Sequence, residues 1–225
     1  MGRLCSSRYE RQARREGFAR IAGLDEVGRG ALFGPVVAAA VILDPARPIY
    51  GLDDSKKLRP ERREELAVRI RERALAWAVA EIDAARIDAW NIHQASCQAM
   101  LQALAALKVT PDYLLTDAVT LDTAIPQKAL IHGDARSISI AAASILAKQA
   151  RDRMMDHWAS LYPEYGFDRN RGYATALHLE ALRRIGPTPQ HRFSFSPVRD
   201  ALCWSTFATQ TTLPLAGPES ESGAE

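Results

Sequence analysis

Cysteine is scarce in this sequence: Cys5, Cys97 and Cys203 are the only three in 225 residues. They lie far apart and form no C-x-x-C pair. A zinc ribbon and a dithiol redox centre are therefore excluded, and free thiols in a reducing compartment are expected. The five histidines, at 93, 132, 157, 178 and 191, make no H-x-x-x-H or H-E-x-x-H pattern, so nothing supports a zinc hydrolase. Ser139 and Ser144 lack the G-x-S-x-G setting of a serine hydrolase. No apolar run is long enough to span a bilayer. The opening MGRLCSSRYERQARREG has no apolar core of the kind a secretory signal requires. A cytoplasmic protein without a membrane partner is expected.

Neither sign of charge dominates, with a formal net charge of +2. The last fifteen residues carry three glutamates and no Lys or Arg, so the remainder has 29 basic against 24 acidic residues, a net of +5. That mild excess suits a polyanionic partner without requiring one. Apolar residues at 47% and charged residues at 25% describe a globular chain able to build its own core.

The pattern along the chain predicts an Arg-rich, exposed N-terminal helical extension over residues 1–18, one α/β domain over 19–204 and a disordered acidic tail over 205–225. Within the domain, strands are expected at 19–25 and 34–43, paired as an antiparallel hairpin because only a short glycine-containing turn separates them. Pro60 opens a helix that hands over to a third strand near 74–82. Residues 84–107 read as helical, with Asp88 and Asn91 able to cap or interrupt. Short strands at 113–117 and 128–132 each lead to a carboxylate. Helices follow over 137–161 and 174–185, the last stopped by Gly186-Pro187. The expected order, β, β, β, α, β, α, β, α, α, describes a mixed sheet with an antiparallel meander first and helix-linked strands after it.

Four acids stand at strand ends in this layout. Asp25 and Glu26 are adjacent in GLDEVGRG, Asp117 closes YLLTD, and Asp134 follows Gly133. Adjacent buried carboxylates repel and raise one another's pKa unless a cation compensates. An all-oxygen donor set suits magnesium or manganese. Such strand ends converge if the strands are neighbours, and four carboxylates suffice for two cations acting in phosphodiester cleavage. Asp117 or Asp134 taken alone is more often a turn former or a helix cap. Gly28, Gly30 and Gly34 approach the dinucleotide fingerprint, but the spacing is off by one. Acids occupy the pyrophosphate position, and a strand follows instead of a helix. Gly28-Arg29-Gly30 is better suited to close main-chain approach to a ligand, with paired backbone groups able to read a 2′-hydroxyl and Arg29 a phosphate. Lys56 and Lys57, Arg169 and Arg171, and His191 and Arg192 add positive charge in loops. Tyr173, in a basic loop, can stack on a sugar or base or serve as core. Ser144 and Lys148, at i and i+4, share a helix face and can reach a phosphate or form a polar stripe.

In order along the chain, GLDEVGRGALFGPVVAAAVIL, LDDSKKL, YLLTD, PQKALIHGDARSISIAAASILAKQARDRMM, YGFDRNRGYATALHLEAL and HRFSFSPV resemble the bacterial ribonuclease HII family, over about residues 21–202. The resemblance implies a ribonuclease H-like mixed sheet flanked by helices, with a helical C-terminal part. It implies endonucleolytic cleavage of RNA in RNA–DNA hybrids and incision at single ribonucleotides embedded in duplex DNA, leaving 3′-hydroxyl and 5′-phosphate ends. Asp25, Glu26, Asp117 and Asp134 match the family's metal-binding carboxylates, with Asp25 and Asp117 shared by two Mg2+ or Mn2+ ions and Glu26 and Asp134 serving one each. Gly28, Arg29 and Gly30 match its ribose-sensing loop, and Tyr173 the tyrosine that packs on the junction sugar. Lys56, Ser144 and Lys148 fall in its backbone-binding segments. The chain departs from the family at His132 and Arg171, where lysine is common, and at Ala118, where some members have glycine. A monomer acting on hybrid and ribonucleotide-containing duplexes is expected. A non-catalytic nucleic-acid binder is the alternative from another class, but four acids near phosphate would weaken its affinity. A type 1 ribonuclease H is the alternative on the same fold.

Overall fold

The computed structural model describes residues 5–202. The acidic tail and Cys203 lie outside the described residues. Five strands, β1 (Ile21–Val27), β2 (Val36–Ile42), β3 (Ala76–Ile82), β4 (Tyr113–Asp117) and β5 (Gln127–Leu130), form one sheet in the order β3-β2-β1-β4-β5. β1, β2 and β3 make the expected antiparallel meander, while β4 and β5 run parallel to β1. The helices are α1 (Arg8–Arg15), α2 (Pro60–Arg73), α3 (Ala84–Trp90), α4 (Ile92–Ala105), α5 (Ile138–Leu161), α6 (Phe167–Asn170) and α7 (Ala176–Ile185). Among the described residues no helix is long and apolar enough to cross a membrane.

The sheet is covered on both faces, which is why β2, VVAAAVI, is buried at every position. Leu24, Ala38 and Ala40 pack on Ala95, Ala99 and Met100 of α4. On the other face Ala39 and Val41 pack on Leu66 and Ile70 of α2 and on Ala142, Ile145 and Leu146 of α5. A third cluster joins Leu32 and Phe33 to Met155, Tyr165, Phe167 and Leu182, docking the C-terminal helices onto the later half of α5.

Several expected boundaries shift for physical reasons. Ladder pairing with β2 continues through Asp25, Glu26 and Val27, so the two acids lie inside β1 and not at its end. The helix expected over 84–107 breaks at Asn91, whose φ of +83° is incompatible with a helix and whose side chain caps α4 at Gln94. No helix links β4 to β5; residues 118–126 make that connection without one. β5 ends at Leu130, and Asp134 lies in a 3₁₀ turn, Gly133–Ala135. α7 starts at Ala176, where Thr175 caps it. α1 is shorter than expected and is not exposed on every side. Its Glu10 is buried and accepts from Ser137 Oγ (2.6 Å) and the Ser139 N–H (2.9 Å) at the start of α5.

Gly23 sets how closely β1 approaches α5. A Cβ at this position would lie 2.1 Å from the Ser139 carbonyl carbon and 2.4 Å from the Ile140 nitrogen. Both obstacles are backbone and cannot rotate aside. Gly23→Ala is expected to cost about 3 kcal/mol or more of folding stability, read as a lowered urea midpoint. A midpoint within about 0.5 kcal/mol of wild type would show that this approach is not tight.

Candidate active site

The ends of three parallel strands build the site. β1 lies beside β4, and Leu24 opposite Thr116 is the last pair between them, so Asp25 and Asp117 each come next after that pair on their own strands. β5 lies on the other side of β4, and the chain leaving it turns back through Gly133–Ala135. The Gly133 N–H donates to Asp117 Oδ1 at 2.7 Å, which ties the turn carrying Asp134 to β4. A Cβ at Gly133 would lie 3.3 Å from that same oxygen and 2.6 Å from Ile140. Carboxylates at the carboxyl ends of adjacent parallel strands occupy the usual ligand position of an α/β sheet.

Each aspartate has one oxygen fixed by a main-chain N–H: Asp25 by Glu26 (2.7 Å), Asp117 by Gly133 (2.7 Å) and Asp134 by Ala135 (2.8 Å). Glu26 Oε1 accepts from Arg29 at 2.9 Å, while its Oε2 is buried without a hydrogen-bond partner. Strand alternation puts Asp25 on the α5 face and Glu26 on the α4 face, matching their cross-strand partners Ala39 and Ala38.

Electrostatics record the crowding. Burial pushes the Asp25 carboxyl well above the ordinary carboxylate range, and Glu26, Asp117 and Asp134 push it further. Burial raises Glu26 as well, with Arg29 opposing. Asp134 is raised by burial and then by Asp54 and Asp117, with Lys56 opposing. Asp54 therefore belongs to the cluster. Sequence reasoning singled out only the lysines of the DDSKKL loop, because nothing in that loop says where it folds back. Among the described residues no group of three or more His, Cys, Asp or Glu side chains stands as it would have to in order to hold a metal ion. The carboxylates are near enough to raise one another's pKa, but each is turned toward its own backbone or arginine partner.

Gly28-Arg29-Gly30 and Tyr173 stand beside this cluster and against each other. A Cβ at Gly30 would come within 3.9 Å of Tyr173 Cε1. Gly28 has φ +93°, and a Cβ there would strike Arg151 at 2.3 Å. The Leu32 N–H donates to the Gly172 carbonyl at 2.8 Å, pinning the loop to the residue before Tyr173. Two fully buried arginines hold the assembly. Arg151 donates to the carbonyls of Phe33 (3.1 Å), Pro35 (3.1 Å) and Arg171 (2.8 Å), and its guanidinium lies 5.6 Å from the Tyr173 ring centroid. Arg192 donates to the carbonyls of Gly34 (3.0 and 2.9 Å) and Arg29 (2.9 Å). Sequence reasoning missed this role. Arg151 is one of many arginines in a helix, and Arg192 read as loop charge.

The remaining expected residues divide. Lys56 is exposed near Asp134. Ser144 is buried and donates to Ser55 Oγ at 2.7 Å, so it braces the 53–57 loop on α5. Lys148 pairs with Asp152, which Arg63 also meets at 3.4 Å. His132 and Ala118, two of the departures from the family, both adopt left-handed backbone, with φ +55° and +54°.

The sequence profile of the family described as Ribonuclease HII matches residues 22–198. A ribonuclease HII of Solibacter usitatus is 58% identical over 195 residues, 87% of this chain and 86% of that protein. One from Bacillus subtilis is 53% identical over 191 residues, 85% and 75% of the two chains. The crystal structure of ribonuclease H2 from Pyrococcus horikoshii superposes with a TM-score of 0.71 at 25% identity, covering 84% of this chain and 99% of that one. Bst-RNase HIII, solved in complex with Mn2+, shares the fold with a TM-score of 0.66 at 22% identity, covering 85% of this chain and 71% of that one. The chain belongs to the ribonuclease HII family and is a ribonuclease H, a hydrolase.

Proposed function

We propose that this enzyme, beyond acting on the RNA of RNA–DNA hybrids as its family does, incises duplex DNA at single embedded ribonucleotides, leaving 3′-hydroxyl and 5′-phosphate ends. The supporting observation is the link between the carboxylate cluster and the Gly30–Tyr173 pair: Arg29, which stands between Gly28 and Gly30, is bonded to Glu26 at 2.9 Å, while Gly30 faces the Tyr173 ring. We take it to work as a monomer in the cytoplasm.

The donor set fits hard divalent cations. It is all oxygen, it carries uncompensated negative charge, and Glu26 Oε2 is a buried acceptor without a partner. Asp25, Glu26, Asp117 and Asp134 would hold two Mg2+ or Mn2+ ions, and the Mn2+ complex of the structural relative supports that class of ion. When bound, such ions supply a more acidic water and positive charge near the leaving 3′ oxygen. The chain's own residues do the remainder. Backbone N–H groups fix the carboxylates before substrate arrives. Arg29, anchored on Glu26, offers a cation to a phosphate, and Lys56 lies on the Asp134 side for the strand backbone. Gly28 and Gly30 present main chain to the sugar, where a 2′-hydroxyl can both donate and accept, and the Tyr173 ring packs on the adjoining sugar.

The direct test is Asp117→Asn on a duplex with one ribonucleotide. Cleavage should fall at least about 100-fold, the scale already reached when a metal ligand's outer partner is lost. Near wild-type cleavage would contradict the assignment.

Burial and like charge also make a stability prediction. The Asp25 carboxyl has a raised pKa in the folded protein, so between its unfolded value and that raised value the folded state holds a proton the unfolded state lacks. Without divalent cations, stability therefore falls as pH rises through that window. Asp25→Asn keeps the acceptor oxygen for the Glu26 N–H and removes the charge. At pH 7 in chelator it should unfold with about 1 kcal/mol or more greater stability than wild type, the gap closing below about pH 4. Equal stability at pH 7 would show that the Asp25 charge carries no such cost.

A further inference from the structure

His178 and His191 are both completely buried, and neither touches the carboxylates. Their ring nitrogens form a chain of hydrogen bonds whose direction can be deduced. The Thr188 N–H lies 2.9 Å from His191 Nδ1 and can only donate, so that nitrogen carries a lone pair. A neutral His191 then holds its proton on Nε2. That proton points at His178 Nε2, 3.0 Å away, which must accept. The His178 proton is thereby forced onto Nδ1, which donates to the Tyr173 carbonyl at 3.0 Å. Each link admits one arrangement of protons while both rings are neutral. Burial favours neutrality in both, lowering His178 and taking His191 down to about 3, with His178 adding to the latter. The rings of Phe33, Tyr165 and Phe167 enclose the pair.

One end of the chain meets the sugar-reading surface directly, and the His191 main chain carries the other to the segment holding Gly30. On one side it terminates at the carbonyl of Tyr173. On the other, His191 bridges to Phe33 and precedes Arg192, whose N–H holds the Leu32 carbonyl and whose guanidinium holds Arg29 and Gly34. Gly34 in turn donates to the Gln190 carbonyl at 2.9 Å. Tyr173 itself is part exposed at 37%, and besides this bond it is held by short turn contacts with Asn170 and Thr175.

We propose that His178 and His191 are positioning residues for ribonucleotide recognition: a neutral, directionally fixed imidazole pair that locks the Tyr173 main chain against the segment carrying Gly30. The inference rests on the reading of Tyr173 as the residue that packs on the sugar. The pair touches neither substrate nor cations. Its loss therefore acts on discrimination more than on phosphodiester hydrolysis as such.

The test compares kcat/KM on a single-ribonucleotide duplex with that on an RNA–DNA hybrid, for His178→Phe, His178→Asn, Tyr173→Ala and the double variant His178→Phe/Tyr173→Ala. His178→Phe should lower the ratio about five- to tenfold, the scale of one lost hydrogen bond. His178→Asn, whose amide N–H takes the place of Nδ1, should recover most of it. In the Tyr173→Ala background, His178→Phe should have no further effect on the ratio. An unchanged ratio in folded His178→Phe, or an equal loss with and without Tyr173, overturns the positioning role while leaving the reading of Tyr173 intact. An unchanged ratio in Tyr173→Ala overturns that reading and the inference with it. Imidazole 15N spectra of the wild-type protein give a check that needs no variant. His178 should be the Nδ1–H tautomer and His191 the Nε2–H tautomer at pH 7, and an imidazolium or the opposite tautomer at either position overturns the proposal.

Discussion

Mutual repulsion among buried carboxylates at one end of the sheet is the constraint around which the rest is arranged. Asp25, Glu26, Asp117 and Asp134 come from β1, β4 and the turn after β5. Parallel pairing of those strands brings them together. The apolar, alanine-lined layers against β1 and β2 keep water from shielding Asp25. A fold that needed only stability would place neither Asp25 nor Glu26 there. In the proposed function that unfavourable charge has a use, which is to hold cations against a phosphate.

The positive side of the balance is unusual in where it is placed. Among the described residues Arg29 alone makes an ion pair with one of the four acids. The two most buried guanidiniums, Arg151 and Arg192, give their donors to main-chain carbonyls of the 29–35 segment and of Arg171. That choice shapes the loop without neutralising the carboxylates. Planar, multiply donating guanidinium suits this task, and lysine, with a point charge, would not replace it. The result is a 29–35 segment held through its main chain beside the carboxylates, with Arg29 common to both.

Much of this was legible in the sequence. The hairpin of β1 and β2 was, because alternating and continuous apolar patterns bracket a glycine turn. The placing of the acids was in part, because Asp25, Glu26 and Asp117 come where an apolar run stops and Asp134 follows the Gly133 turn beyond one. What escaped has a common cause: it depends on contacts between distant segments. Nothing local marks Arg151 as a buried clamp, Asp54 as a neighbour of Asp134, or Ser144 as the hydrogen-bond donor to Ser55. Asn91 was visible as a possible interruption, and its left-handed backbone makes it a real one. Glu10 looked like one more charge on a solvated helix, yet it is buried at the start of α5. The acids inside β1 looked terminal, since apolar character stops before hydrogen bonding does.

The central claim is that cutting and sugar recognition are joined in one surface. It is tested most directly by the initial cleavage rates of the wild-type enzyme, with magnesium or manganese, on two duplexes of the same sequence, one with a single ribonucleotide and one all DNA. The account predicts incision at the ribonucleotide and none above background in the all-DNA duplex. Comparable cleavage of both, or cleavage of neither by an enzyme that still cuts an RNA–DNA hybrid, would contradict it.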